Sequence, residues 1–485
     1  MNQFDYDLIV IGGGGAGIVS SLLAKGFGKK VALIEKRTLG GECTRYGCVP
    51  SKALIKSANL YHYAKEAGRM NMGFTAQSEA LLDPTHAMAH VRDVVNGVYE
   101  GERPEVFEAK GINVIIGSPF FKDNHHIGIN GKVLSAKCFV LCTGSSAFIP
   151  PIEGIHTISY LTNEEFFDLE ELPQSMIVLG GGPIGTELAQ ALNRLGVAIT
   201  IVEMGDRILV REERELGDML AERIVAEGIR ILTGTKAVRF SQEDGDIVLA
   251  VEDREKKMAF IRAQSVLVAV GRKTNTDGLD LENAGVEYSA KGIKVDDTLR
   301  TTAPNIYACG DVAGPYQFSH MAEYQARIAT QNALLPITKH ANYEHYIWCM
   351  FTDPELAHAG LTEDEARQVH GDKIKVYKWA YKDTDRGKTD GDDMGMSKII
   401  CDEKDRVLGA HILGSRAGDL IHEIQVIKTL GIPFYKLDSV IHIYPTFSDV
   451  IKQPAKLCYI DKLKRNPLLR ILGTFFGAGK VHNRD

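Results

Sequence analysis

The chain carries one glycine pattern, G-x-G-x-x-G, at two widely separated places. Each copy follows a short apolar run typical of a buried parallel strand, and each leads into a stretch with the pattern of a helix, 18–25 and 186–195. In both copies a second apolar strand ends in an acid, Glu35 or Glu203. The glycines are Gly12, Gly14 and Gly17 in the first copy and Gly180, Gly182 and Gly185 in the second. The sequence therefore predicts two strand–helix–strand units that bind dinucleotides.

Each residue of this pattern has a physical reason. The first glycine permits a tight turn, the second lets backbone N–H groups approach a pyrophosphate, and the third lets helix and strand pack closely. The helix N-terminus attracts the diphosphate, and the acid accepts hydrogen bonds from a ribose. Two such units imply two dinucleotides, for which FAD and NAD(H) are the obvious pair. Glu203 favours a free 2′-hydroxyl and so predicts NADH rather than NADPH, although Arg207 nearby could offset its charge.

Two of the eight cysteines, Cys43 and Cys48, lie together in the segment 41–52. Eight cysteines are too few for a disulfide scaffold, and no C-x-x-C or His/Cys pair has the spacing of a zinc site, so we predict no metal centre. In a reducing cytosol such a pair is typical of catalysis rather than structure. A helix is predicted to start directly after Cys48, at 51–59, and Lys52 places a positive charge beside the pair.

Length, charge and the distribution of apolar residues indicate the number of domains, the kind of partner and the location. A chain of 485 residues suggests about three domains. The net charge of -7 gives no indication of a nucleic-acid partner. No basic flank precedes an apolar helix at the N-terminus and no run of 18 apolar residues occurs, so we expect a cytoplasmic protein. Turn-rich segments at 148–154 and 271–275 are predicted junctions between domains.

These motifs occur in the order known from one family. The chain resembles the class I pyridine nucleotide–disulfide oxidoreductases, the group of dihydrolipoamide dehydrogenase, glutathione reductase and mercuric reductase, over about 1–455. The motifs that carry the resemblance are 12–17, the cysteine segment 41–52, Thr143-Gly144, 180–187, 270–272, Gly310-Asp311 and 442–449.

The resemblance implies an α/β fold with two Rossmann-like dinucleotide-binding domains, one for FAD and one for NAD, and a C-terminal α+β domain that forms a homodimer. The implied boundaries are 1–150 for the first part of the FAD domain, 151–275 for the NAD domain, 276–341 for the second part of the FAD domain, 342–460 for the interface domain and 461–485 for a basic amphipathic tail.

The resemblance also implies residue roles. Cys48 is expected to face the flavin and Cys43 the substrate, while Lys52 lies near the flavin N5 and pairs with Glu187. The implied FAD-binding residues are Gly12, Gly14, Gly17, Glu35 (adenosine ribose), Lys36, Gly41, Lys52, Gly117, Thr143, Gly144, Asp311 (ribitol) and Ser319. The implied NAD-binding residues are Gly180, Gly182, Pro183, Ile184, Gly185, Glu203, Val238, Gly271 and Arg272.

The chain departs from the family near its C-terminus. Where relatives have a proton-moving histidine before Pro-Thr, this chain has Tyr444, and the glutamate five residues later is Asp449. Tyrosine has an ordinary pKa of about 10 against about 6.5 for histidine, and losing a matched base costs about 10²–10⁴ in rate. Tyr444 therefore argues against a fast dihydrolipoamide or glutathione enzyme and fits a hydrogen-bond donor or a wall of the pocket. If the segment is extended, His442 lies on the same side as Tyr444.

Two further features bear on substrate and location. After Cys401 only Cys458 remains, so the C-terminal cysteine pair of mercuric reductases is missing and mercury is a doubtful physiological substrate. The segment 459–476 mixes basic and apolar residues at near-helical spacing. Such a segment can bind an anionic membrane surface, although a helix docked on its own dimer is the favoured interpretation.

Three functions stay open at this point. The leading one is an NADH-dependent flavoprotein that reduces the Cys43–Cys48 disulfide and then a disulfide or metal–thiol acceptor. The second is a flavin reductase of quinones, metal ions or oxygen in which the cysteines are secondary. The third, from another class, is a non-catalytic or membrane-docked subunit that keeps FAD structurally. The motifs do not identify the final acceptor.

Overall fold

The computed structural model describes residues 4–69, 83–84 and 86–466. Its α-helices are α1 (Gly15–Gly26), α2 (Gly41–Arg45), α3 (Cys48–Arg69), α4 (His86–Tyr99), α5 (Pro104–Glu108), α6 (Asn163–Phe166), α7 (Pro183–Arg194), α8 (Arg214–Ala226), α9 (Ser319–Leu334), α10 (Glu363–His370), α11 (Asp385–Asp390), α12 (Ala417–Thr429) and α13 (Asp449–Arg465). Short 3₁₀ helices lie at Glu100–Glu102, Ile155–Thr157, Leu281–Ala284, Gly371–Lys373, Tyr381–Asp383 and Phe434–Ser439.

The strands of the described residues follow the same numbering along the chain. They are β1 (Tyr6–Ile11), β2 (Val31–Glu35), β3 (Asn113–Ile116), β4 (Phe120–Phe121), β5 (His126–Ile129), β6 (Lys132–Leu141), β7 (Ser145–Ala147), β8 (Ser175–Leu179), β9 (Ala198–Val202), β10 (Arg230–Leu232), β11 (Lys236–Glu243), β12 (Asp246–Glu252), β13 (Met258–Ala263), β14 (Ser265–Val268), β15 (Arg272–Thr274), β16 (Tyr288–Ser289), β17 (Gly292–Ile293), β18 (Ile306–Ala308), β19 (Ile347–Met350), β20 (Glu355–Gly360), β21 (Lys375–Ala380), β22 (Met396–Cys401) and β23 (Val407–Gly414).

A mainly parallel sheet forms the first part of unit 1, which comprises 1–208 and 227–343. Its strands are ordered β3-β2-β1-β6-β5-β4, and β18 runs parallel to the C-terminal half of β6. The aliphatic residues of β1 and β2 are buried on both faces, as expected for parallel strands that are covered on both sides. The carboxyl ends of β1, β6 and β18 therefore meet at one edge, where the first glycine loop follows β1.

A second parallel sheet in unit 1, ordered β10-β9-β8-β14, carries the second glycine loop after β8. An antiparallel sheet, β11-β12-β13, packs beside it through one shared apolar core. The chain leaves the first sheet through β7 and comes back to it through β15, and these two strands pair as a short antiparallel ribbon. This ribbon joins the first sheet to the inserted one and lies where the sequence predicted domain junctions.

Unit 2 comprises 209–226 and 344–485. It is built on an antiparallel sheet ordered β19-β20-β23-β22-β21, and α12 and α13 bury one apolar core against it. Together with the two parallel sheets, this α+β unit confirms the predicted fold class.

One segment groups differently from the sequence-based boundaries. The sequence places 209–226 within the NAD domain, but its contacts assign it to unit 2. Its buried acids explain the difference. Glu212 accepts a hydrogen bond from Trp348 Nε1 at 2.7 Å, and Glu213 lies 2.6 Å from Lys398 Nζ. These buried carboxylates need charged or donor partners, which the antiparallel sheet supplies.

Most predicted elements are confirmed and a few are corrected. The helix predicted from residue 51 begins at Cys48 itself. The segment 442–449 contains no strand, so the alternation of side chains that an extended segment would have does not apply. Within the described ranges, no helix is long and apolar enough to cross a membrane. The predicted amphipathic tail lies outside the described residues from 467 onward.

Candidate redox site and dinucleotide loops

The two glycine loops have the same backbone geometry. Gly12 and Gly180 have φ of +108° and +100°, and a Cβ on either would lie within 2.5 Å of a carbonyl oxygen, that of Cys142 or Ala269. The third glycines are equally constrained, because a Cβ on Gly17 or Gly185 would collide with the carbonyl oxygen of its own loop. Only glycine fits these positions, as the sequence predicts.

The acids predicted to bind ribose also hold the loops. Glu35 Oε2 accepts from the Gly13 N–H at 2.7 Å, and Glu203 Oε2 accepts from the Gly181 N–H at the same distance. Each acid thus bridges the end of its strand to the middle of its glycine loop. A carboxylate oxygen has further lone pairs, so this bond does not prevent a ribose from donating to the same acid.

The helices that follow the loops fit a bound diphosphate. The N-caps of α1 and α7 are Gly14 and Gly182, and neither end receives a side-chain cap. A Cβ on Gly182 would meet nothing within 4 Å, and one on Gly14 would touch only the Gly41 Cα at 3.8 Å. Uncapped first-turn N–H groups beside open space favour an anion at each helix start. The residues present therefore fit two dinucleotides.

The predicted cysteine pair lies between two short helical segments. Cys43 is in α2 and half-buried, whereas Cys48 is the first residue of α3 and exposed. Ser319, the first residue of α9, brings its Oγ to 3.2 Å from the Cys48 Sγ. Both thiols are free, so the structure represents the reduced pair.

The two thiols have opposite pKa shifts. The hydrogen bond from Cys43 lowers the pKa of Cys48 to about 6; burial opposes this shift, while Ser319 and Lys52 reinforce it. The same hydrogen bond, together with burial, raises the pKa of Cys43 well above its ordinary value. The pair is thus polarised, with the thiolate form favoured at Cys48 and the thiol form favoured at Cys43.

Another cysteine pair in unit 1 shows what an unreactive pair looks like. Cys142 and Cys309 have their Sγ atoms 3.5 Å apart and are both buried in the core beneath α1. Burial raises the pKa of Cys142 well above its ordinary value. Because the thiolate is the reactive form, this pair is inert in the folded protein by comparison with Cys43 and Cys48.

Lys52 and Glu187 form the predicted ion pair. Their Nζ and Oε2 atoms are 2.7 Å apart, and the Glu187 side chain is only 9 % exposed. Two helical turns further along the same two helices, Arg194 Nη1 donates to Asn59 Oδ1 at 2.6 Å. α7 and the first part of α3 therefore run side by side with polar contacts two turns apart.

A half-buried charge cluster that the sequence analysis did not predict includes Glu42, the residue before Cys43. Arg272 Nη1 donates to Glu42 Oε1 at 2.7 Å and Nη2 donates to Oε2, which makes a bidentate pair. Arg272 Nε also donates to Ser145 Oγ at 2.7 Å, and that hydroxyl donates to Asp311 Oδ2. Burial opposes the charge of Arg272, but Glu42 outweighs burial and raises the pKa of Arg272. Arg272 was predicted to bind NAD, and that role stays a prediction.

The remaining predicted cofactor residues lie around the two loops. Thr143 Oγ1 donates to the Asn275 carbonyl oxygen at 2.6 Å, which ties the end of β6 to the end of β15. The cofactor-binding roles of Thr143 and of the residues named next stay predictions. Gly41, Gly117, Gly144 and Gly271 have positive φ, Lys36 and Ile184 are exposed, Pro183 opens α7, and Val238 is half-buried in β11.

Tyr444, in unit 2, stands at the position of the family's histidine and bonds to an acid other than Asp449. Its hydroxyl donates to Asp385 Oδ2 at 2.8 Å rather than to Asp449, and this bond raises the pKa of Tyr444. His442 Nε2 lies 2.9 Å from Glu423 Oε1, and its Nδ1 lies 2.9 Å from the Val440 carbonyl oxygen. Tyr444 and His442 therefore occupy separate hydrogen-bond networks.

Replacing Tyr444 by phenylalanine should have a small effect. The lost hydroxyl bond to Asp385 is exposed and worth about 0.5–1.5 kcal/mol, so steady-state turnover should fall less than about tenfold. A tyrosine that acted as the base would lose about 10²–10⁴ on the same change. Comparison of kcat/KM for wild type and Y444F distinguishes the two roles, and Thr446→Ala two residues away is the control.

Two dinucleotide loops on two parallel sheets, with a low-pKa dithiol beside them, define an oxidoreductase that moves electron pairs between nucleotides and thiols. The family model for pyridine nucleotide-disulphide oxidoreductase matches residues 6–326, and the model for the dimerisation domain of the same family matches 346–455. The chain belongs to this family. It is a flavoprotein disulfide oxidoreductase, and the family cofactors are FAD and a nicotinamide nucleotide.

Named relatives cover nearly the whole chain. A dihydrolipoyl dehydrogenase of Thermus scotoductus is 34 % identical over 93 % of this chain and 97 % of the relative. A mercuric reductase of Bacillus cereus is 32 % identical over 93 % of this chain and 71 % of the relative. Among solved structures, the HOCl-induced flavoprotein disulfide reductase RclA from Escherichia coli has a TM-score of 0.82 at 29 % identity, covering 93 % of this chain and 100 % of RclA.

Proposed function

We propose that this enzyme takes electrons from NADH and passes them to the Cys43–Cys48 disulfide, and from there to a disulfide or metal–thiol acceptor. The observation that carries the proposal is the position of the Cys43–Cys48 dithiol: Cys48 is the first residue of α3, and its Sγ lies 3.2 Å from Ser319 Oγ. The opposed pKa shifts support it, because they favour the thiolate form at Cys48 and the thiol form at Cys43. A structural or secondary pair has no need of this polarisation.

The protein's own residues divide the work. When bound, FAD and the nicotinamide supply the two-electron transfer. Cys48 holds the negative charge, and Lys52, oriented by Glu187, stabilises it. Cys43 attacks the acceptor after it loses its proton, and Ser319 and Cys48 are the groups within reach of that proton. An acceptor disulfide then leaves as two thiols while the Cys43–Cys48 disulfide re-forms.

The second candidate is direct reduction of quinones, metal ions or oxygen. It is favoured by Tyr444, whose bond to Asp385 makes it a poor base for thiol exchange. The solved structures of RclA include a Cu(II) complex, so a metal ion is one candidate acceptor for this second function. The two functions differ in whether Cys43 is needed for turnover.

NADH is proposed as the donor because Glu203 would repel a 2′-phosphate. In a Glu203→Gln variant the side chain keeps an acceptor oxygen for the Gly181 N–H but loses its charge. We expect the ratio of kcat/KM for NADH over NADPH to fall about 10–100-fold, since a hydrogen bond to a charged group is worth about 1.5–3 kcal/mol. An unchanged ratio would contradict this role. Glu35→Gln, in the other loop, is the control.

A homodimer is proposed from the dimerisation domain at 346–455. Exposed apolar side chains in this part of unit 2, Ile441, Ile443 and Tyr444, fit a surface that a second copy covers. A cytoplasmic location stays a prediction. Contact of the C-terminal tail with a membrane is tested by liposome sedimentation before and after deletion of 466–485.

The first experiment is an anaerobic titration of the purified protein with NADH, followed by its visible spectrum. A long-wavelength thiolate-to-flavin band after one equivalent is expected, since electrons should reach the dithiol and leave Cys48 as a thiolate. Bleaching of the flavin without that band would remove the disulfide mechanism and favour direct reduction of quinones or oxygen. Flavin that NADH does not reduce would favour a non-catalytic subunit.

A further inference from the structure

The segment that holds Cys43 is too short to be stable by itself. α2 has five residues, Gly41–Arg45, and isolated helices of this length do not form in water. The position of the Cys43 thiol relative to Cys48 must therefore be fixed by contacts that α2 makes with other elements. Glu42, directly before Cys43, makes most of the side-chain contacts that serve this purpose.

Glu42, Asn163 and Arg272 form a group that we call the Glu42 cluster. Asn163 Nδ2 donates to Glu42 Oε1 at 2.6 Å and to the Tyr46 carbonyl oxygen at 3.0 Å, so one amide holds both ends of α2. Arg272 holds the same carboxylate with two parallel bonds. The fork of a guanidinium fixes the direction of a carboxylate as well as its distance.

The partners of Glu42 are themselves fixed. Asn163 is the first residue of α6 and is buried, and Arg272 is the first residue of the β15–β7 ribbon. Arg272 also donates to the Ser145 Oγ and carbonyl oxygen. The cluster is largely desolvated, because the Arg272 side chain is 13 % exposed and that of Glu42 is 26 % exposed. Such contacts orient a segment better than exposed ion pairs do.

We propose that Glu42 is a positioning residue for the redox pair: through Arg272 and Asn163 it locks α2 to the ribbon between the two sheets and so fixes the position of Cys43 beside Cys48. The inference rests on the proposed function, because that function gives the redox pair its importance. The contacts themselves are those of the reduced dithiol. Glu42 touches neither thiol, so it acts through the backbone of Cys43.

A positioning role for Glu42 predicts a direction for the shift of the Cys48 pKa that other roles of Glu42 do not predict. The bond from Cys43 is the largest cause of the low Cys48 pKa. If the Glu42 cluster holds that bond, its loss must raise the pKa of Cys48. Removing the Glu42 charge acts in the opposite direction if only distance-dependent electrostatics matter, because a lost negative charge favours a nearby thiolate. A merely structural residue would leave the Cys48 pKa where it is.

The test measures the alkylation rate of Cys48 by iodoacetamide against pH in the dithiol-reduced holoenzyme, read by peptide mass spectrometry. The variants are Glu42→Gln, which loses the charge, and Arg272→Lys, which keeps the charge but loses the fork. Both should raise the half-maximal pH by about one unit, the scale of a weakened hydrogen bond to a charged group. The double variant should shift no further than the larger single one, because both break the same contact.

Glu164→Gln is the matched control. Glu164 follows Asn163 in α6 and pairs with Arg37 at 3.0 Å on the surface, so its loss removes an ion pair of the same region without touching α2. FAD content and the unfolding midpoint verify that each variant is folded, and E42Q and R272K provide two independent routes to the same contact.

The outcomes separate the two proposals. If wild-type Cys48 titrates near pH 6 and either folded variant leaves that value unchanged or lowers it, the positioning role is overturned. If wild-type Cys48 shows no such titration, the low-pKa thiolate fails, and the proposed function fails with it. An upward shift in both variants and none in E164Q supports the positioning role.

Discussion

Replacing Cys48 by serine should abolish the thiolate-to-flavin band and lower turnover with disulfide acceptors by about 1000-fold or more, the scale seen when a covalent nucleophile is removed. Cys43→Ser should lower turnover equally but keep the band, because Cys48 still provides a thiolate. The band should then appear at higher pH than in wild type, since the hydrogen bond from Cys43 is the main cause of the low Cys48 pKa. Anaerobic spectra and steady-state rates measure both effects.

Cys138→Ser is the control for these two variants. Cys138 is half-buried in β6, its Sγ donates to the Ala333 carbonyl oxygen, and burial raises its pKa. Its loss should leave spectra and rates unchanged. Full turnover of C43S with quinones, metal ions or oxygen would favour the direct flavin reductase, because that reaction needs no thiol nucleophile.

The parts of this site that could be predicted from sequence are those set by local backbone geometry. The glycine loops recur because a Cβ at Gly12 or Gly180 collides with a neighbouring strand, so a short pattern contains the whole constraint. Likewise, Cys43 and Cys48 are separated by four residues, and a small ring can close within one segment. The parallel strands on either side of each loop could be predicted as well, since buried parallel strands are continuous apolar runs.

The parts that were missed depend on contacts between distant segments. Glu42 and Arg272 are 230 positions apart, and nothing near either residue indicates the other. Ser145 could have been noticed because it follows the Thr143-Gly144 motif, but its bond to Asp311 again spans the inserted domain. The relation between His442 and Tyr444 was stated for an extended segment, and the backbone there forms no strand.

Two variants of the Lys52–Glu187 pair should shift the Cys48 thiol in opposite directions although both break the same contact. Lys52→Met removes a charge that lowers the Cys48 pKa and leaves Glu187 uncompensated, so the pKa should rise above 6. Glu187→Gln removes a charge that raises the Cys48 pKa, so the pKa should fall. The thiolate fraction at pH 7 therefore decreases in K52M and increases in E187Q.

K52M should differ from wild type more strongly in turnover than in the titration of the Cys48 thiol. A lysine that stabilises developing negative charge beside the reacting groups is worth about 10²–10³ in rate, by analogy with a lost oxyanion donor. We therefore expect K52M to lose about 100-fold in kcat. Lys56→Met, one turn further along α3 and exposed, should retain wild-type rates. Equal kcat values for K52M and K56M would show that Lys52 is a surface lysine, and shifts of the same sign in K52M and E187Q would mean that the pair acts through the fold rather than through its charges.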